Sequence, residues 1–326
     1  MNRIYIKDLN NHFDKEVEIS GYIDNIRNLQ YVCFIILRDI SGKVQLTIEN
    51  KEENNSLVKI INDLTLESTV KIKGLVKENE KVRLGGIEVL PSSIEVTSLS
   101  DNELPINFKD LNNINLDTRL DYRFLDLRNE KNVMMFKIQS CFVEGMREFL
   151  YKNEFTEIHT PKLIGTASES GSDVFEVKYF EDKAYLAQSP QFYKQMAMAS
   201  GFERIFEVAP AFRAENSNTN RHTTEITSFD LEFSYIDSFT DVMDLEEELI
   251  IAGLTKVKDN YGEIIKTMFN QDVIVPTRPF PRIKLNDLYK ELESRYNYNI
   301  PTEDVGDMNA ETEKLTSRFA MEEYGH

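Results

Sequence analysis

Between residues 16 and 48, apolar and polar positions alternate along EVEISGYIDNI, YVCFIILRDI and SGKVQLTIE. Residues two apart on a strand share a face, so each run predicts a strand with one buried side. The SGK turn joins the last two runs as a hairpin. KEENNSLVKIINDL changes to helical spacing, and TVKIKGLVKE and IEVLPSSIEVTSL return to strand. Five short strands with one inserted helix predict a small barrel of the OB type. Pattern alone leaves a two-sheet sandwich open.

Residues 101–128 read as a polar connector running into a segment of mixed charge. From Lys131 to Asn153, Ile138, Phe142, Met146 and Phe149 recur every three to four residues, the signature of an amphipathic helix. FTEIHTPKL is extended up to Pro161, and VFEVKYF and KAYLAQ read as strands. SPQFYKQMAMASGF predicts a helix with Ser189 as N-cap, Pro190 at the first helical position and Gly201 near its end. RIFEVAPAFRAE and HTTEITSFDLEFSY form an antiparallel pair around the polar loop ENSNTN, and DVMDLEEELIIAGLTKVKDNYG is a further helix.

Composition narrows the class. With 41% hydrophobic and 29% charged residues in 326, the chain is expected to be globular, with two domains rather than one. No apolar run reaches membrane-spanning length and MNRIYIKDLNNHF has no signal-peptide pattern, so no membrane partner is expected. Two cysteines, Cys33 and Cys141, lie in apolar runs, which fits a reducing cytoplasm. The four histidines are scattered, against a zinc site. The formal charge of −18 is uneven: residues 1–100 hold 13 Lys and Arg against 15 Asp and Glu, the remainder 25 against 41. Any phosphate binding must therefore use local cations.

Such cations flank the polar loop. Arg213 and Glu215 are two apart and share a strand face, offering a guanidinium to phosphate and a carboxylate to an amine or base edge. Arg221 and His222 return from the far side of the loop. A surface hairpin with ordinary salt bridges fits the same pattern. On the preceding helix, Gln191 and Lys194 are three apart on one face, an amide and an ammonium suited to a small acidic amino acid.

FRAENSNTNRHTTEITSFDLEF resembles motif 2 of the class II aminoacyl-tRNA synthetases in the aspartyl and asparaginyl form, and FTEIHTPKL resembles motif 1, which contributes to the dimer interface in that class. The likeness runs through nearly the whole chain, including the N-terminal barrel. AYLAQSPQFYKQM is similar to the archaeal and eukaryotic aspartyl type, whose lysine meets the substrate side-chain carboxylate; asparaginyl enzymes usually lack it. The resemblance implies an α+β multidomain fold: an OB-type anticodon-binding barrel over 1–100, a hinge over 101–128, and over 129–326 a class II catalytic domain with an antiparallel sheet flanked by helices. It implies ATP and Mg²⁺ as cofactors, L-aspartate and tRNA(Asp) as substrates with tRNA(Asn) left open, and a homodimer through motif 1.

It also implies roles. Arg213 holds the α-phosphate and the substrate carboxylate, and Glu215 the adenine or the terminal adenosine. Arg221, His222 and Thr223 serve the outer phosphates. TASESGSDVF is similar to the mobile loop over the aminoacyl pocket, with Glu169, and with it Asp230, near the substrate ammonium. The family usually has two glycines after that glutamate; here Ser170 and Gly171 follow it. In the barrel, Phe34 and Gln45 match positions that stack on and read the central uridine, although the apolar neighbours of Phe34 alone point to the core. Arg27 and Glu78 are further anticodon candidates, and Asp24 and Arg83 lie near the third base. No match to motif 3, its γ-phosphate arginine or its metal-binding acids follows Asp304. The catalytic domain is expected to be C-terminally incomplete, with no metal ligands of its own, apolar sheet surface exposed and aminoacylation weak. The alternatives are a tRNA-binding synthetase-like module and an asparaginyl enzyme.

Overall fold

A computed structural model describes residues 3–107, 109–166, 174–214 and 223–325. The chain divides into two compact units, 1–126 and 127–326.

In the first unit, β1 (Glu16–Asn28), β2 (Val32–Arg38), β3 (Lys43–Glu49), β4 (Thr69–Glu78) and β5 (Ile87–Ser98) close a barrel in the order β1-β2-β3-β5-β4, with α1 (Asn55–Asp63) between β3 and β4. Closure excludes the sandwich. Alternation dictates the interior: Val17, Ile19 and Ile23 of β1 meet Cys33, Ile35 and Leu37 of β2 and Val44, Leu46 and Ile48 of β3, while α1 caps them with Leu57 and Ile61. The parallel β3–β5 pair completes the circle. At Gly21 a Cβ atom would sit 2.3 Å from the Arg38 carbonyl oxygen, so only glycine fits where the strands close on each other. The connector is not structureless. It forms the short helices α2 (Leu116–Asp121) and α3 (Arg123–Asp126) around buried Ile106 and Leu125. Asp126 is buried against Arg119 and Arg123.

The second unit opens with α4 (Glu130–Lys152), followed by β6 (Thr156–Glu157), β7 (Leu163–Ile164), β8 (Glu176–Tyr179), β9 (Asp182–Leu186), α5 (Gln191–Ala199), β10 (Arg204–Phe212), β11 (Glu225–Phe233), α6 (Phe239–Phe269), α7 (Leu285–Tyr296) and α8 (Ala310–Tyr324). β11 and β10 form the predicted antiparallel hairpin, and β6 adds to β10 in parallel. Of the extended motif 1 segment only Thr156 and Glu157 pair with β10, and its last residue, Leu163, opens β7. β7, β9 and β8 make a separate antiparallel sheet. Alternation splits the hairpin. Phe206, Val208, Phe229, Leu231 and Phe233 pack on α4 and α6 through Met146, Leu150 and Leu249. Burying that apolar layer is the main stabilising term of this unit, and truncating a side chain such as Phe206 costs about 3–5 kcal/mol. α4 and α6 approach closely where Gly145 faces Ala252 and Gly253. A capping box at Ser238 and Asp241 starts α6, which runs seven residues past the predicted Gly262 to end at Asn270 in the left-handed conformation.

Candidate functional site

The hairpin face turned away from α4 and α6 carries the polar residues. On β10 these are Glu207 and, just beyond the strand end, Arg213; on β11 they are Ser228, Asp230 and Glu232. Glu207 is the register partner of Asp230. α5 delivers its side chains to this face. It begins at Gln191 rather than at Pro190: Pro190 takes the cap position, and the Ser189 hydroxyl accepts a hydrogen bond from the Gln191 amide at 3.1 Å. Proline lacks the N–H that a first-turn residue would donate, so it fits the boundary.

Lys194 is only 6% exposed. Its Nζ lies 3.4 Å from Asp230 Oδ1 and 3.4 Å from Glu232 Oε2, and donates to the Leu231 carbonyl at 3.2 Å. Gln191 Nε2 reaches the same Glu232 carboxylate at 3.5 Å. The Ser228 hydroxyl donates to the other oxygen of Asp230. A buried ammonium needs compensating charge, and two carboxylates on one strand face supply it. The structure therefore brings Gln191, Lys194 and Asp230 together, with Glu232 as a fourth member. A cavity of about 330 Å³ on the α6 side of β11, lined mainly by Phe229, Leu231, Phe233, Leu245 and Leu249, reaches Lys194 and Asp230 at its edge.

Arg213 is exposed at the strand end, its amide bonded to the Thr224 carbonyl at 3.0 Å, and Thr223 is exposed where the chain re-enters. Glu215, Arg221, His222 and Glu169 lie outside the described residues.

Glu207 escaped the sequence reading. Only 2% exposed, it accepts from the Thr160 amide at 2.6 Å, the Thr160 hydroxyl at 2.8 Å and Lys162 Nζ at 2.9 Å. It locks the motif 1 segment onto the strand that leads to Arg213. The nearest signal was an acid interrupting the apolar run RIFEVAPAF, but its partners lie 45 to 47 residues upstream.

On the barrel, Phe34 has outward parity. Its neighbours Cys33 and Ile35 fill the core, and Phe34 is half-exposed between Arg27 of β1 and Thr47 of β3. This corrects the core reading that its apolar neighbours suggest. Arg27 and Gln45 share the outward face, with Arg27 exposed. Glu78 has the inward parity of Val76 but sits exposed at the end of β4, off that face. Arg83 is exposed. Asp24 is buried in an ion cluster, with Arg38 at 3.2 Å, Lys43 at 3.4 Å and Lys109 at 3.2 Å. Burial, the largest single influence, raises its carboxyl pKa; Lys109, Lys43 and Arg38 together outweigh it and hold the group below the usual aspartate range.

Comparison with known proteins matches residues 115–325 to tRNA synthetases class II (D, K and N), and residues 17–97 to an OB-fold nucleic acid binding domain. The aspartate–tRNA(Asp) ligase of Pyrococcus abyssi is 40% identical over 311 residues, covering 95% of this chain and 70% of that protein. The aspartate–tRNA(Asp/Asn) ligase of Methanopyrus kandleri is 42% identical over 294 residues, 89% of this chain and 68% of that protein. Among solved structures, asparaginyl-tRNA synthetase from Pyrococcus horikoshii complexed with asparaginyl-adenylate superposes with a TM-score of 0.85 at 30% identity, covering 97% of this chain and 72% of that one. The family model spans the helices, the hairpin and the charged face together, and the chain belongs to the class II tRNA synthetases of the D, K and N group.

Proposed function

We propose that the protein is an aspartate–tRNA ligase, which activates L-aspartate with ATP and transfers it to the 3′ end of tRNA(Asp). The observation that carries this reading is Lys194, a buried ammonium on the charged face of the hairpin. An ammonium suits a side-chain carboxylate, whereas an asparaginyl site needs a partner for a neutral amide. Gln191 supports the same subsite, and Asp230 with Glu169 receives the substrate ammonium. Arg213 neutralises the charge that develops when the aspartate α-carboxylate attacks the α-phosphorus of ATP and pyrophosphate leaves. Glu215 meets the adenine, and Arg221, His222 and Thr223 the outer phosphates. The terminal ribose hydroxyl of the tRNA then attacks the mixed anhydride and releases AMP. No side-chain nucleophile is required; positioning and electrostatics carry both steps.

Among the described residues there is no cluster of three or more His, Cys, Asp or Glu side chains disposed to hold a metal ion, so no step is assigned to a protein-held Mg²⁺. Residues 1–100 read the anticodon through Arg27, Phe34 and Gln45 on the outward face, with Glu78 as a separate contact from the exposed end of β4; 101–128 is the hinge and 129–326 the catalytic domain. Among the described residues no helix is long and apolar enough to cross a membrane; the reading places the enzyme in the cytoplasm as a homodimer through the motif 1 segment. The test is aspartate-dependent ATP–pyrophosphate exchange. Arg213→Ala is expected to lower exchange by at least about 10²-fold with an unchanged unfolding temperature, as for loss of a transition-state donor. Near-wild-type exchange in the variant overturns the assignment of Arg213, and asparagine-dependent exchange overturns the substrate. Binding of tRNA without exchange favours a binding module.

A further inference from the structure

Past Ile158 the motif 1 segment departs from β10, and the side chain of Glu207 holds the point of departure. The Ile158 amide still donates to the Phe206 carbonyl at 2.9 Å. The Thr160 amide donates instead to the Glu207 carboxylate at 2.6 Å, and Pro161 has no amide with which to re-enter the ladder. Lys162 then turns to the end of β9, where its carbonyl accepts the Ala187 amide at 2.9 Å. The Ala187 carbonyl accepts the Phe212 amide, also at 2.9 Å, and Phe212 is the last residue of β10. Glu207, the Thr160–Lys162 segment, Ala187 and Phe212 therefore form a closed ring that returns to the strand it left. Glu207 closes it with a side chain, where the links at Ala187 are backbone bonds. Its carboxylate takes three donors, the Thr160 amide, the Thr160 hydroxyl at 2.8 Å and Lys162 Nζ at 2.9 Å. Lys162 Nζ also donates to Thr160 Oγ1 at 2.7 Å, so the single Thr160 hydrogen is committed to Glu207. A carboxylate only accepts and suits all three donors; a neutral amide cannot.

Both halves of the charged face leave from this ring. Arg213 follows Phe212 directly, and Ala187 runs through the Ser189 cap into α5, which carries Gln191 and Lys194. We infer that Glu207 is a positioning residue for adenylate formation: its charge closes the ring that holds Arg213 in a fixed place relative to the amino acid subsite on α5. This role rests on the proposed activation of aspartate at Arg213, Gln191 and Lys194. In that step the substrate carboxylate and the α-phosphorus must meet at reacting distance, and a displacement of about 1 Å costs up to about 10²-fold in rate. Glu207 is 2% exposed, so it acts through the backbone it ties together and not by touching a ligand. The groups assigned to aspartate and to ATP are all retained when its charge is lost. The signature of the role is therefore a fall in kcat with each KM little changed.

The test is aspartate-dependent ATP–pyrophosphate exchange on the whole protein, with kcat and the KM values for aspartate and ATP measured well below the melting temperature. Glu207→Gln sets an NH₂ against one of the three donors, and kcat falls about 10- to 100-fold while each KM stays within about threefold. Thr160→Val removes one of the three bonds without changing charge and lowers kcat about three- to tenfold. Circular dichroism confirms folding, and Thr160→Val carries the test if Glu207→Gln does not fold. A double-mutant cycle with Arg213→Ala separates positioning from stability. If Glu207 acts by placing Arg213, the loss from Glu207→Gln, or from Thr160→Val, shrinks to less than about twofold once Arg213 is alanine. Loss of stability alone removes the same fraction of active protein in either background, so its effect multiplies with that of Arg213→Ala. Folded variants with wild-type kcat, losses carried by KM, or losses that multiply in the cycle overturn the positioning role. A wild type without exchange overturns the underlying reading of function instead.

Discussion

Replacing Lys194 by methionine keeps the buried apolar stem and removes the charge. A ligand carboxylate bound to Nζ at roughly 2.8 Å is attracted by about 6 kcal/mol at an effective dielectric of about 20. Asp230 Oδ1 and Glu232 Oε2 lie 3.4 Å from Nζ. If the ligand sits on the opposite side of Nζ, each acid is roughly 6 Å from it and repels by about 3 kcal/mol. The two repulsions nearly cancel the attraction, so Lys194 is what makes a carboxylate tolerable on this face at all. Its removal leaves the repulsion unopposed. The two acidic side chains are 21% and 27% exposed, so solvent screening reduces the net change to about 3 kcal/mol, or 10²- to 10³-fold in aspartate affinity. Asparagine is neutral and loses at most one ordinary hydrogen bond, less than about tenfold. Isothermal titration of both amino acids into wild type and Lys194→Met reads the two losses separately, with ATP binding as a control. Equal losses for aspartate and asparagine would refute the reasoning.

Three other outcomes follow from the same geometry. Glu207→Gln keeps the shape but turns an NH₂ toward Lys162, which destabilises the unit by about 2–3 kcal/mol; a melting temperature lower by roughly 5–10 °C checks this, and a shift below about 1 °C contradicts it. Asp24 has a folded-state pKa depressed below its unfolded value, so its contribution is present above about pH 4 and lost as pH falls through the folded pKa. Asp24→Asn therefore lowers stability at neutral pH and flattens the acid limb of the stability curve, and parallel acid limbs in denaturant titrations would count against it. Phe34→Ala should weaken anticodon stem-loop binding about 10- to 100-fold while leaving barrel unfolding nearly unchanged, because the ring faces outward; unaltered affinity removes its stacking role.

Period-two patterning gave the barrel strands and the side of each that is buried, as in Cys33, Ile35 and Leu37, because closure requires one continuous apolar interior. The same logic hid Phe34 and Ile36, apolar residues of outward parity in an unbroken apolar run. Local signals placed α4, α5 and the hairpin, but not the one-residue shift of α5, where Pro190 takes the cap position that Ser189 was expected to fill. The site was legible where its chemistry is local in sequence: Gln191 and Lys194 lie on one helix face, and Asp230 and Glu232 on one strand face. That Lys194 is buried between the two acids depends on the packing of α5 against β11, which no spacing encodes. Glu207 with Thr160, and Thr47 with Glu88, pair across more than 40 residues and become visible only when strands align.

The most direct test is aminoacylation itself: transfer of labelled aspartate or asparagine to purified tRNA(Asp) in the presence of ATP. Formation of aspartyl-tRNA(Asp), lost in Arg213→Ala and Lys194→Met, is the predicted result. Attachment of asparagine in preference to aspartate would contradict the account.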